Sequence, residues 1–216
     1  MSFTLGDILC KGKFSDVYNL QDKENKKTYV IKFIESKNLN TLEIYIMKNL
    51  IHTNITNLIN YEQTDKGLTK IIFEKATDDL KKYIKIIKPK FEQKKLFSLD
   101  IAKGLEFLHD KKIIHGDIKP ENILIYNKIA KISDFGLSCY ENFVPFKILY
   151  TLEYRPPEKN YCTKSDIWAY GCTLYEIYEF KKTKELLSLI NNCIIEKNKR
   201  LTIKNILEHN YFCDLK

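Results

Sequence analysis

The sequence predicts an α+β chain in two lobes, a small β-rich amino-terminal lobe over residues 1–75 and a larger helical lobe over 76–216. Two patterns predict it. Up to about Thr77 the apolar residues alternate or run in short stretches broken by turn residues, as strands do. Beyond Thr77 they recur every three or four residues, as in helices with one buried face. A third observation joins the lobes: with 7 glycines and 5 prolines in 216 residues, no stretch reads as a linker, so both belong to a single domain.

Taken in order, runs at 3–10, 14–20 and 28–34 are separated by breaks at Lys11-Gly12 and from Asp22 to Lys27, the signature of an antiparallel meander. Leu42, Tyr45, Ile46 and Leu50 then recur at helical spacing. Strand-like runs resume at Ile55–Tyr61 and Leu68–Phe73 around the turn Asp65-Lys66-Gly67. In the second lobe, Leu80, Tyr83, Ile84 and Ile87 form a stripe that ends at Pro89, and Leu96, Leu99, Leu105 and Leu108 form a longer one reaching His109. Further helical patterns cover 163–178, 183–195 and 202–208.

The six cysteines form no Cys-x-x-Cys pair, and the first residues are not a signal peptide, so free thiols in the cytoplasm or nucleus are expected. No apolar run has spanning length, and no membrane partner is expected. The four histidines and the cysteines are too scattered for zinc. The net charge of +8, with lysines gathered at 81, 82, 85, 88, 90, 94 and 95, reads first as the solvated face of helices. An acidic partner or nucleic acid is the lesser expectation, since no arginine-rich arm or aromatic-interleaved motif accompanies the lysines.

Chemistry concentrates in two stretches. Ile113–Ile125 reads IIHGDIKPENILI, and a further apolar run leads into Asp134-Phe135-Gly136. An Asn and an Asp at the ends of neighbouring short strands supply the hard oxygens that magnesium prefers, and magnesium in turn binds phosphates. Asp117 is then left for a substrate hydroxyl.

HGDIKPEN followed seventeen positions later by DFG resembles the catalytic loop and metal-binding triplet of the eukaryotic protein kinases. The resemblance extends along the chain: YVIK, LEIYIMKNLIHTNI, IIFEKATDDL, TLEYRPPE, SDIWAYGCTLYEI and KNKRLT follow in the family's order. It implies a bilobal kinase fold, with a catalytic loop at 115–122 and an activation segment at 134–158. It implies ATP and Mg2+ as cofactors, and protein serine or threonine hydroxyls as substrates. By the same resemblance Asp117 orients the hydroxyl, Lys119 offsets charge on the transferring phosphoryl group, and Asn122 and Asp134 hold magnesium. Lys32, paired with Glu43, contacts the α- and β-phosphates. Leu9, Gly12, Val17, Val30, Phe73, Glu74, Ala76 and Leu124 line the nucleotide site, with Phe73 as gatekeeper. Glu158 and Arg200 form an ion pair of the large lobe, and Asp166 braces the catalytic loop.

Four departures qualify the resemblance. Gly116 stands where the family has an arginine that clamps a phosphorylated activation segment, so activation by phosphorylation of Ser138, Tyr140, Tyr150 or Thr151 is expected to be dispensable; Thr151 is also a candidate for touching the catalytic loop. The phosphate-covering loop, Cys10 to Val17, keeps only Gly12 of three glycines. Val30 replaces a smaller alanine. The 42 positions from Glu158 to Arg200 leave little room for a helix the family uses to dock substrates and regulators, which suggests that a regulatory partner stands in for it. The resemblance implies a minimal catalytic domain without appendages. Two other readings stay open: a pseudokinase or partner-binding module, and a small-molecule kinase of the aminoglycoside or choline kinase type. Richness in lysine, isoleucine and asparagine points to an AT-rich, reduced genome, such as that of a large DNA virus or an intracellular parasite.

Overall fold

The computed structural model describes residues 3–12, 15–143, 151–158, 161–179 and 182–215. Lys13 and Phe14 of the phosphate-covering loop and Tyr150 of the activation segment lie outside them. The chain divides into two compact units, Met1–Ile51 with Asn57–Ala76, and His52–Thr56 with Thr77–Lys216.

The first unit is an antiparallel sheet of β1 (Phe3–Lys11), β2 (Ser15–Asp22), β3 (Thr28–Glu35), β4 (Leu58–Gln63) and β5 (Leu68–Glu74), in the order β1-β2-β3-β5-β4. The β2–β3 turn is closed by the buried Asp22, whose carboxylate accepts from Glu24 N at 2.8 Å and Asn25 Nδ2 at 3.1 Å. Alternation along β3 sends Tyr29, Ile31 and Phe33 to one face, where Tyr29 and Ile31 join Leu20 in a core flanked by Phe3, Tyr18 and Ile72. Val30 and Lys32 therefore point to the other face. Helix α1 (Thr41–Asn49) starts at Asn40, whose side chain accepts from Leu42 N at 3.1 Å, and it buries Glu43, Ile46 and Met47.

The second unit is helical, as expected, but among its described residues five short strands run through it. They are β6 (Asp78–Asp79), β7 (Ile113–Ile114), β8 (Ile123–Tyr126), β9 (Ile129–Ile132) and β10 (Cys139–Tyr140), forming the sheets β6-β8-β9 and β10-β7. The helices are α2 (Leu80–Ile87), α3 (Phe91–Asp110), α4 (Thr163–Ile177), α5 (Lys184–Cys193) and α6 (Ile203–Glu208). Asp79 caps α2 by accepting from Lys82 N at 2.9 Å. The core gathers Phe97, Ile101, Leu105 and Leu108 of α3 with Ile167, Tyr170 and Leu174 of α4, nearly all fully buried. Burying such side chains contributes roughly 1.5–3 kcal/mol each. Helix α3 starts five residues before the stripe at Leu96, because its first turn is polar except for Phe91, whose ring packs 5.2 Å from that of Tyr178.

Ile55 and Thr56 do not open a strand of the first unit as the sequence suggested. They join β9: Thr56 N donates to Ile132 O at 2.9 Å, and Ile132 N donates to Asn54 O at 2.9 Å. Ile55 is fully buried there, so its hydrophobicity is satisfied by the second unit and β4 starts only at Leu58. Arg200, buried, grips Glu158 with two nitrogens at 2.6 and 3.1 Å and donates to Lys164 O and Ile195 O. Burial raises the Glu158 carboxyl, but the Arg200 guanidinium outweighs it and holds it below the usual carboxylate range.

Gly104 sets how closely α3 approaches β9. A Cβ there would lie 2.8 Å from Asn54 O and 2.8 Å from Ile132 Cδ1. Gly104→Ala is expected to lower stability by about 1–3 kcal/mol through overpacking. Denaturant titration checks this, and an unchanged midpoint would contradict the packing described.

Candidate functional site

The site is built on one buried carboxylate. Asp166 lies in the first turn of α4, and its Oδ2 accepts from His115 N at 2.8 Å and lies 2.9 Å from His109 Nε2. Its Oδ1 accepts from Gly116 N at 2.9 Å. The loop after β7 is thereby tied by its own main chain to α4. Gly116 has φ of 85°, a conformation in which an L-side chain costs about 1–2 kcal/mol. That gives a backbone reason for the glycine, where the sequence showed only the lost arginine. His115 Nδ1 accepts from Asp117 N at 3.1 Å, which assigns the ring proton to Nε2, 3.0 Å from Ser133 O.

The loop delivers Asp117 into a dense set of donors. Lys119 Nζ is 2.6 Å from Asp117 Oδ2, and Asn122 Nδ2 donates to the same oxygen and to Asp117 O, both at 2.8 Å. The Thr151 hydroxyl donates to Asp117 Oδ1 at 2.8 Å and receives Lys119 Nζ at 2.7 Å. Burial alone would raise the Asp117 carboxyl; Lys119 and the Thr151 hydroxyl outweigh it and hold it below the ordinary value, so it is a carboxylate at neutral pH.

Asn122 ends the short 3-10 turn Pro120–Asn122. Its amide nitrogen is spent on Asp117, which leaves the amide oxygen as the acceptor of the side chain. Its main-chain oxygen accepts from Ser133 N and Ser133 Oγ, both at 2.9 Å. The end of β9 is thus sewn to the loop, and Asp134 follows directly, with φ of 59°, unusual for a residue other than glycine. By their chemistry an amide oxygen and a carboxylate are hard-oxygen donors that suit magnesium, which needs only one or two protein ligands beside water and phosphate.

In the first unit, Lys32 Nζ meets Glu43 Oε1 at 2.7 Å, with both side chains largely shielded. Lys32 pairs across the sheet with Val17 and Ile71, and Val30 with Phe73, so Val30 and Lys32 share a face. Leu9 is exposed on β1; Gly12 follows β1, and a Cβ on it would stand 2.8 Å from Ser15 O. Glu74 ends β5 and pairs with Lys27 at 3.2 Å, and Ala76 lies just beyond. Leu124 belongs to β8 of the second unit, opposite Lys131.

The segment hydroxyls whose phosphorylation the sequence reading expected to be dispensable sit in different surroundings. Ser138 is buried and donates to His115 O at 3.0 Å, so it braces the loop. Tyr140 is exposed on β10. Thr151 belongs to the Asp117 cluster. Sequence reasoning missed His109 and Ser133; a histidine six residues before His115, and a small residue just before Asp134, are signals only once both ends of the loop are known to meet.

The chain matches the family profile described as protein kinase domain over residues 3–183. The serine/threonine-protein kinase atg1 of Dictyostelium discoideum is 36% identical over 202 residues, covering 83% of this chain and 29% of that protein. An Aurora kinase of the same organism is 29% identical over 248 residues, covering 96% of this chain and 65% of that protein. The chain thus spans less than two thirds of the length of either relative.

Replacing Gly116 by alanine is expected to lower stability by about 1–2 kcal/mol, because any Cβ is strained at positive φ. Replacing it by arginine should cost a similar amount. A thermal midpoint that does not fall in either variant would contradict the backbone role.

Proposed function

The chain belongs to the protein kinase domain family, and on that premise we propose that it transfers the γ-phosphoryl group of Mg-ATP to serine or threonine hydroxyls of proteins. Residues 1–216 act as a single catalytic domain in this reading, with its catalytic loop at 115–122 and activation segment at 134–158. The observation that carries the reading is the Asp117 carboxylate with an ammonium at 2.6 Å and a threonine hydroxyl at 2.8 Å. An alcohol already donates to the oxygen that is to receive one.

In this mechanism Asp117 Oδ1 accepts the hydrogen bond of the substrate hydroxyl, aims its oxygen at phosphorus, and takes the proton as the new O–P bond forms and the bond from the γ-phosphorus to the bridging oxygen breaks, releasing ADP. Lys119 offsets charge on the transferring phosphoryl group. Asn122 and Asp134 are the residues to hold magnesium, which when bound neutralises phosphate charge. In the first unit Glu43 keeps Lys32 extended toward the α- and β-phosphates. Leu9, Gly12, Val17, Val30, Phe73, Glu74, Ala76 and Leu124 are proposed nucleotide contacts.

Regulation by a phosphorylated segment has little to act on in this reading. Position 116 carries no arginine, and Ser138 is buried. Protein substrates, a regulatory partner and a cytoplasmic or nuclear location are proposed; among the described residues all six cysteines are free, and no helix is long and apolar enough to cross a membrane.

Transfer of labelled phosphate to a generic protein substrate, followed by phosphoamino-acid analysis, tests the proposal. Asp117→Asn and Lys32→Ala should each lower the rate by about 100-fold or more while remaining folded. Undiminished transfer in either would overturn the assignment. Lys119→Ala removes a group that holds the Asp117 pKa down, so the acid limb of the pH–rate profile should move to higher pH; an unmoved limb contradicts the pairing. Ser138→Ala and Tyr140→Phe should stay active, and background activity in both would restore segment phosphorylation as a requirement. Thr151→Val is expected to lose activity through its Asp117 contact, and Thr151→Ser to keep it.

A further inference from the structure

Helix α2 is amphipathic as far as its last turn, where the pattern fails. Leu80, Tyr83 and Ile84 are buried, yet Ile86 and Ile87 are 66% and 56% exposed. Ile86 stands on the charged side of the helix, four residues from Lys82. Around this aliphatic pair stand Lys85, Lys88 and Lys90, none of which has a carboxylate partner among the described residues. Lys81 differs, since it is engaged by Glu121 and Glu176.

The patch continues beyond the helix. Lys90 precedes α3, and Gln93, three residues on, donates to Lys128 O at 3.2 Å, which brings the β8–β9 turn alongside. That turn presents Lys128 and the partly exposed Ile129. Glu92 is the acidic residue within this stretch. Lys88, which caps α2, and Lys128 both have positive φ, 50° and 67°, where glycine or asparagine is favoured.

We propose that the end of α2 with the β8–β9 turn is a docking face for an anionic lipid surface. Lipid answers both halves of the patch. Isoleucines enter the boundary of the acyl chains, and lysines, with long apolar stems, keep their ammonium groups among anionic headgroups. A nucleic acid would use the lysines but gain nothing from two exposed isoleucines, having no stacking partner in an aliphatic side chain. The sequence led to no expectation of a membrane partner because nothing spans; a face that lies on a membrane needs no span.

Flotation with vesicles of phosphatidylcholine, with and without phosphatidylserine, tests this on the full chain. Binding is expected only with phosphatidylserine and should weaken with salt. Lys85→Gln and Lys88→Gln should each weaken it about fivefold. Ile86→Ser with Ile87→Ser should weaken it about tenfold or more, because three aliphatic carbons per residue leave the interface. Melting temperature and phosphate transfer to a soluble substrate should be unchanged in all of these, since none of the four residues touches the Asp117 cluster. Failure here therefore leaves the kinase reading intact. No binding to phosphatidylserine vesicles overturns the proposal. So does binding that the isoleucine changes leave intact while single-stranded RNA competes for it, which would make the face a polyanion site.

Discussion

The Asp166 carboxylate is the constraint on which the site of the second unit rests. An ionised group is costly to bury unless its oxygens are satisfied, and Asp166 is satisfied by two main-chain N–H groups of the loop and the ring of His109. Its place in the first turn of α4 adds the favourable end of the helix dipole. One residue thereby joins α3, the loop and α4, and it takes up N–H groups that a buried loop could not leave unpaired.

From that anchor the geometry propagates outward. With His115 and Gly116 fixed, Asp117 is set down where Lys119, Asn122 and Thr151 converge on its oxygens. The same loop, through the Asn122 carbonyl, fixes Ser133 and so the start of Asp134. The donors are in place before any substrate arrives, which is the arrangement that makes electrostatic stabilisation effective. Glu43 does the equivalent for Lys32 in the first unit, where a cap at Asn40 starts the helix that carries it.

Much of this was legible in the sequence because it is written locally. Strand alternation pointed to β1 to β3, the helical stripe to α2, and short motifs to Lys32, Asp117, Asn122 and Asp134 as candidate site residues. What escaped depends on contacts between distant residues. Thr151 is 34 positions from Asp117, and although the sequence reading named it as a candidate for touching the catalytic loop, nothing local shows that its hydroxyl bridges Asp117 and Lys119. Ile55 looked like a strand of the first unit because periodicity shows that a residue is buried but not against what; β9 claims it. The polar first turn of α3 concealed its start. Gly116 was read through the side chain it lacks, since a backbone angle leaves no mark in composition.

The most direct test of the account is single-turnover phosphoryl transfer by an Asp166→Asn protein. The asparagine keeps the size of the side chain but turns an NH2 group toward donors that need an oxygen. If Asp166 positions Asp117, the rate of transfer should fall by about 100-fold through misplacement alone, while affinity for ATP stays near that of the unchanged protein. A folded variant that transfers phosphate at the original rate would contradict the claim that this carboxylate organises the site.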